Sequence, residues 1–483
     1  MVSVPRALGR IKSDLGQYLP AASVEAACRE AGHRWRERKL GPAATLHLFV
    51  LQVLHLNTAI RHLRHLAGRP LTASAYCEAR MRLPLAAVQA LLRSSSDAMR
   101  AGAGAGAGAG GLWCGLRAFL VDGTGTITPD TPALQGEFGQ PKNQKAGCGF
   151  PVPKLLGLFD AFTGMVVELL AFPLYTHDLR GAWRLHPLLG PGDLLVGDRG
   201  FCSYAHLALL HLRGVLACFH MHQRVIVDFR PHRPHKPRKA KAKAKAKGKA
   251  KGKAKGKAKA KAKGGGGGKG GGGKGLPSSR FVRRLGRWDQ VVEWARPLAR
   301  PKWMTAAQLA SLPEVLAVRE VRYALAEKGM RTRHVTVATT LLDPVAYPKE
   351  KVAELYGLRW RVETHLAGLK TTLKMRRLKC ATPDGARKEL AVYCLVYNLV
   401  RSVTAGAAAR QGTTPDRVSF VDALRWLLAA APGEPVPELV VNPPRPGRHE
   451  PRVIKDLQDT YRKMVLPRRE MRKQLHLWRG RPK

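Results

Sequence analysis

The sequence is short of acid. Only 34 Asp and Glu stand against 83 Lys and Arg in 483 residues, a formal charge of +49. One low-complexity run does not account for this. Residues 238–275 contribute 16 Lys/Arg and no acid, yet outside them 67 basic residues still face 34 acidic ones. A chain this positive throughout points to a polyanion, and nucleic acid is the commonest one. Paired cysteine is also lacking. Eight cysteines (28, 77, 114, 148, 202, 218, 380 and 394) are scattered with no CxxC, which excludes a zinc ribbon and a compact disulfide framework and fits reduced thiols. Long apolar runs are missing too. MVSVPRALGRIKSDLG has no continuous apolar core, and the stretch from Leu155 to Tyr175 is broken by Asp160 and Glu168. There is no amphipathic anchor or lipidation motif. The expectation is a cytoplasmic protein with no membrane partner.

What is present divides along the chain. Residues 1–100 carry helix-compatible apolar spacing in ATLHLFVLQVLHL and LAAVQALLRSSSDAM, which predicts a helical N-terminal domain with possible DNA contacts in HRWRERK (33–39) and RHLRHL (61–66). AGAGAGAGAGG at 101–111 has no side chains to pack and reads as a flexible linker. GLRAFLVDGTG then reads as a strand entering a turn, and KLLGLFDAFTGMVVELLAF as a hairpin. DLRGAWRLHPLL looks helical, with Thr176 or Asp178 able to cap it. DLLVGDRGF is a short strand, SYAHLALLHLRG a helix and VLACFHM a further strand. That order predicts an α/β fold, an RNase H-like mixed-sheet core, over 112–223 and 346–412. Residues 224–345 form a β-rich insertion. Its Lys/Ala/Gly run at 238–275 is expected to be disordered, a sequence-blind DNA tether or a neutral expansion. Residues 413–483 are a basic C-terminal tail.

One stretch, YGLRWRVETHLAGLK, carries the chemistry. Tyr356, Arg359, Glu363 and Lys370 are spaced three, four and seven apart, which on a helix places them on one stripe about 60° wide. A solvated face with i,i+4 pairs is the plain alternative. A carboxylate flanked by a phenol, a guanidinium and an ammonium also suits phosphate binding beside a metal-holding acid. Asp122 and Asp198 each close a predicted strand before a turn, although Asp-Gly is often only a turn. If the strands are neighbours and Glu363 joins them, three carboxylates meet. Oxygen-only ligation suits Mg²⁺ or Mn²⁺, and two such ions suit phosphodiester displacement. Asp160, in the hairpin turn, and Asp193, starting a strand, rank lower. HMH at 220–222 lacks a third metal ligand.

VDGTG, GDRGF and the Y-x2-R-x3-E-x6-K box together resemble the DDE transposases of the insertion sequence four family, with LTASAYCEARMRLPL and VNPPRPGR adding to the likeness across nearly the whole chain. The AGAGAGAGAGG and Lys-rich runs depart from that pattern and look like insertions. The resemblance implies an RNase H-like catalytic domain with a β-rich insertion between the second Asp and the Glu. It implies cut-and-paste transposition, with Asp122, Asp198 and Glu363 catalytic and holding the metals, and Tyr356, Arg359 and Lys370 on phosphates of the transposon end. It implies double-stranded DNA, both transposon ends and target, as partner, and a homodimer in the end-paired complex. Trp288, Trp294 and Trp303 are candidates to stack on a flipped base. Competing readings are a decayed transposase that binds ends without cutting, an RNase H-like nuclease without strand transfer, and a polycation that coats nucleic acid.

Overall fold

The structure is a computed structural model that describes residues 19–36, 40–67, 71–106, 111–236, 276–325, 334–430 and 434–443, with 466, 467, 470 and 473. The run at 238–275 and most of the basic tail therefore lie outside the described residues.

The N-terminal region is helical, as its apolar spacing predicts: α1 (Ala21–Glu30), α2 (Pro42–Leu54), α3 (Ile60–Ala67), α4 (Ala73–Arg82) and α5 (Leu85–Gly106). Pro42 sits in the first turn of α2, where no N–H is needed, and α2 is buried almost all round. The RHLRHL segment is the exposed helix α3. It buries Leu63 and leaves Arg61, His62, Arg64 and His65 outside. The AGAGAGAGAGG run does not start a linker at 101. Its first six residues continue α5 to Gly106, because alanine is the strongest helix former and extending an existing helix fixes one residue per hydrogen bond.

The core strands come in the predicted order: β1 (Arg117–Gly125), β2 (Lys154–Asp160), β3 (Val166–Phe172), β4 (Asp193–Gly197) and β5 (Leu216–His220). Helix α6 (Pro132–Phe138), unforeseen, follows β1 and is capped by Thr131, whose Oγ1 accepts from Leu134 N–H at 3.3 Å. After β3, α7 (Asp178–Ala182) is shorter than DLRGAWRLHPLL suggests. His177, not Thr176 or Asp178, caps it. Pro187 restricts the residue before it, and only a 3₁₀ turn forms at His186–Leu188. Helix α8 (Tyr204–Leu212) joins β4 to β5.

The later strands β6 (Arg280–Gly286), β7 (Asp289–Ala295), β8 (Val315–Ala324) and β9 (His334–Thr339), with α9 (Ala306–Ala310) between β7 and β8, do not make a separate sheet. They extend the first one into nine strands, β3-β2-β1-β4-β5-β9-β8-β7-β6. β1 runs antiparallel to β2 and parallel to β4, β4 is parallel to β5, and β9 docks antiparallel on β5. The mixed α/β class follows directly from this sheet.

After β9 come α10 (Lys349–Gly357), a 3₁₀ turn (Leu358–Trp360), α11 (Arg361–Ala367) and a π-helical turn (Gly368–Thr372). Then α12 (Pro383–Arg410) crosses the core, and α13 (Phe420–Ala429) packs on it. By length and apolarity α12 could span a bilayer, but 89% of its apolar window is buried inside the protein. Leu395 and Val396 are fully buried on it, each such side chain stabilising by about 1.5–3 kcal/mol. Its buried Glu389 accepts from Asn57 Nδ2 at 2.7 Å and from the backbone N–H of Lys379 and Cys380 at 2.9 and 2.8 Å, fastening the helical N-terminus to the core. Arg319 on β8 is wholly buried and donates through Nε and Nη2 to Asp289 at 2.8 and 2.6 Å. Its Nη1 donates to Tyr347 O at 2.7 Å. This strut ties the later strands to the segment that leads into α10.

Candidate active site

Two strands fix two of the acids. β1 and β4 are parallel, and Val121 pairs with Gly197, so the next residues, Asp122 and Asp198, stand side by side. Asp122 does not close its strand before a turn as expected: β1 runs on to Gly125, paired with β2 up to that residue. Asp122 Oδ1 accepts from Gly123 N–H within the strand, while Asp198 Oδ1 accepts from Gly200 N–H in the turn after β4, both at 2.7 Å. On the other side of β4, Gly197 pairs with Phe219, which sets His220 beside Asp198.

The Tyr-Arg-Glu-Lys stretch delivers the third acid, but not as one continuous stripe. The 3₁₀ turn at Leu358–Trp360 advances about 120° per residue rather than about 100°. Tyr356 and Arg359 consequently turn inward, 3% and 8% exposed, while the Glu363 side chain remains 60% exposed. The 3₁₀ turn and α11 both pack on β1. Arg359 lies 4.2 Å from the Trp360 ring centre and 5.9 Å from that of Tyr356. Its Nη2 is 3.7 Å from Glu363 Oε1, and its Nε is buried with no hydrogen-bond partner. The Tyr356 ring in turn meets the His220 ring at 5.7 Å. Lys370, on the π turn, donates to Thr124 Oγ1 at 2.9 Å, two residues beyond Asp122.

The charges feel one another. Burial pushes the Asp122 carboxyl up to about 6, and Asp198 and Glu363 push in the same direction, against the Gly123 N–H and Arg359. Burial, with Arg199 and Arg359 adding to it, lowers the His220 imidazole below its ordinary range, so the ring is neutral near pH 7. Burial raises the Tyr356 phenol. It lowers the Lys370 ammonium, with Arg376 adding to that effect. Among the described residues no three of His, Cys, Asp and Glu lie close enough together to hold an ion as they stand. The acids nevertheless fit a hard divalent cation. They are all-oxygen donors, and their mutual repulsion at Asp122 is what such a cation relieves.

The rival acids have structural work. Asp160 Oδ1 accepts from the N–H groups of Phe162 and Thr163 in the hairpin turn, and Asp193 pairs with Arg117 at 2.7 Å. The three tryptophans part company. Trp294 donates Nε1–H to Glu320 at 3.2 Å, and Trp303 packs on His206 at 5.2 Å. Trp288 sits at φ +61° in the two-residue turn between β6 and β7. There it borders an open cleft of about 450 Å³ shared with Phe229, Arg230, Arg284, Arg287 and Arg322. Sequence reading missed Thr124, which holds Lys370, and His220, whose ring meets Tyr356. The signal available for His220 was its place at the end of the strand next to the one carrying Asp198. All eight cysteines are free, in line with their scattered spacing.

Residues 113–399 match the family described as "Transposase DDE domain". Among curated proteins, the transposase InsG for insertion sequence element IS4 of Escherichia coli (strain K12) is 23% identical over 413 residues, covering 80% of this chain and 78% of its own. A solved structure of the piggyBac transposase synaptic complex with hairpin DNA aligns over 87% of this chain and 79% of that one, at 9% identity and a TM-score of 0.37. The span of the family match, the likeness to an insertion-sequence transposase and the complete Tyr356-Arg359-Glu363-Lys370 box agree: the chain belongs to the transposase DDE domain family, among the transposases of the insertion sequence four family.

Proposed function

We propose that this DNA transposase works by cut-and-paste, with Asp122, Asp198 and Glu363 as its catalytic acids on an RNase H-like core. The observation that carries the reading is the side-by-side placement of Asp122 and Asp198 on paired strands β1 and β4, with helix α11, which bears Glu363, packed on β1. DDE transposases generally use divalent ions. Asp122, Asp198 and Glu363 would hold Mg²⁺ or Mn²⁺, two ions in number, which when bound supply Lewis acidity at the scissile phosphodiester.

The other residues bind and orient. Arg359 is a nearly buried cation with a free Nε, held between Tyr356 and Trp360, and so is ready to donate to a backbone phosphate. Lys370, fixed on Thr124, reaches the same end of β1. Tyr356 braces the arginine and takes part in contacting the transposon end. Trp288, whose ring meets His334 edge-on at 5.3 Å, is the stacking candidate because it borders the open arginine-lined cleft, and its left-handed backbone is the kind of strain that functional sites keep. The sequence of reactions is hydrolysis to a 3′-OH, attack of that hydroxyl on the opposite strand to close a hairpin, reopening, and joining to target DNA. Two protomers pair two ends in the cytoplasm.

The test is an end-bearing duplex incubated with the protein and Mg²⁺. Nicked, hairpin and joined products are expected. A hairpin-free digest would leave a nuclease, and binding without any product would leave a decayed end-binder.

A further inference from the structure

Asp178 opens α7, and its sequence context marks it only as a candidate helix cap. In the fold it stands at the rim of the site. A Cβ on Gly123 would come 3.0 Å from Asp178 Oδ1, and a Cβ on Gly200 would come 3.8 Å from Asp178 Oδ2. One carboxylate therefore lies against strand β1 just past Asp122 and against the turn just past Asp198. Lys154, the first residue of β2, meets Asp178 Oδ1 at 2.6 Å. That oxygen is buried and has no aligned hydrogen bond besides this ion pair. Lys154 is the cation that holds the Asp178 charge at this place. A side chain at 123 would crowd Asp178, whereas one at 200 would only touch it at ordinary contact distance.

We propose that Asp178 is a further positioning residue of the active site. Fastened by Lys154, it packs against Gly123 in β1 and against the Gly200 turn after β4, and so fixes the spacing of Asp122 and Asp198. This rests on the reading of Asp122, Asp198 and Glu363 as the catalytic acids.

The experiment uses the full chain, an end-bearing duplex and Mn²⁺. Asp178→Asn keeps the shape of the side chain and gives up the ion pair. Its cleavage is expected to fall about 10–100-fold, the scale seen when a group that orients metal ligands is lost. Bound Mn²⁺, read by electron paramagnetic resonance, should weaken on the same scale, while end binding and the thermal midpoint hold. Lys154→Met should weaken Mn²⁺ binding in the same direction, and Asp178→Glu should restore part of it. Unchanged Mn²⁺ affinity in Asp178→Asn overturns the proposal, as does a loss of cleavage that merely follows a lowered thermal midpoint. Asp122→Asn is measured alongside. If it abolishes cleavage while Asp178→Asn is normal, only the positioning role falls. If Asp122→Asn also cleaves normally, the reading of the acids falls and takes this role with it.

Discussion

Arg319 and Arg359 are buried to nearly the same degree and are treated in opposite ways. Arg319 meets Asp289 through two aligned bonds and also reaches Tyr347 O. Arg359 has a distant carboxylate at 3.7 Å, two aromatic rings and an Nε with no partner. A buried cation is costly unless its donors are met. The first arginine is a finished structural joint. The second is a cradle with donors to spare, and it stands next to the proposed catalytic acids. An unfinished site among finished ones suits an anion, and under the proposed function that anion is a DNA phosphate.

The largest expected effect tests the site side of that contrast. Glu363→Gln should lower end cleavage about a thousandfold or more, as losing a member of a cooperating catalytic set does, while end binding persists. Undiminished cleavage would remove Glu363 from the acids. On the structural side, Asp289→Ala strands the Arg319 charge and should cost about 3–5 kcal/mol of stability in denaturant unfolding. A cost well below that range would make the strut as dispensable as a surface pair. Arg359→Met should do the reverse, leaving unfolding unchanged or slightly improved. It should weaken binding to many DNA sequences alike and reduce the slope of log affinity against log salt by about one. A changed base preference with an unchanged slope would show that Arg359 reads bases.

Legibility in the sequence followed the range of the interactions. The order of the core strands was readable because alternation and turn residues are local. The proposed site acids stood out as candidates because Asp198 follows a strand, Asp122 lies on one and Glu363 belongs to a box with fixed spacing. What escaped was set at a distance. The burial of Tyr356 and Arg359 comes from a 3₁₀ turn that helical spacing cannot foretell. Asp178 approaches the site against two glycines 77 positions apart, Gly123 and Gly200. The continuation of α5 into the Ala/Gly run was hidden because composition speaks of side chains, whereas propagation depends on the helix already formed. Trp288 became distinguishable from Trp294 and Trp303 only once the cleft it borders was in place.

The smallest effect concerns what the unfinished site costs the protein. The Asp122 carboxyl is pushed up to about 6 from 3.8 by burial and by Asp198 and Glu363. A raised acid favours the folded state below its unfolded value, and that contribution is lost as pH rises through about 6. Without divalent metal, then, the wild-type protein should lose stability from this group between about pH 4 and pH 6, in total up to about 3 kcal/mol. Asp122→Asn carries no such charge. Its stability advantage over wild type should be near nil at pH 4, grow through the interval and level off above pH 7. Mg²⁺ should then shrink the advantage, because a cation bound by the acids stabilises the wild type and not the variant. Thermal unfolding of both proteins at several pH values, with and without Mg²⁺, reads all of this. An advantage that is flat with pH would mean the carboxyl is not strained by its neighbours. An advantage indifferent to Mg²⁺ would mean the strain is not kept for a metal, and Asp122 would then resemble Asp289 more than Glu363.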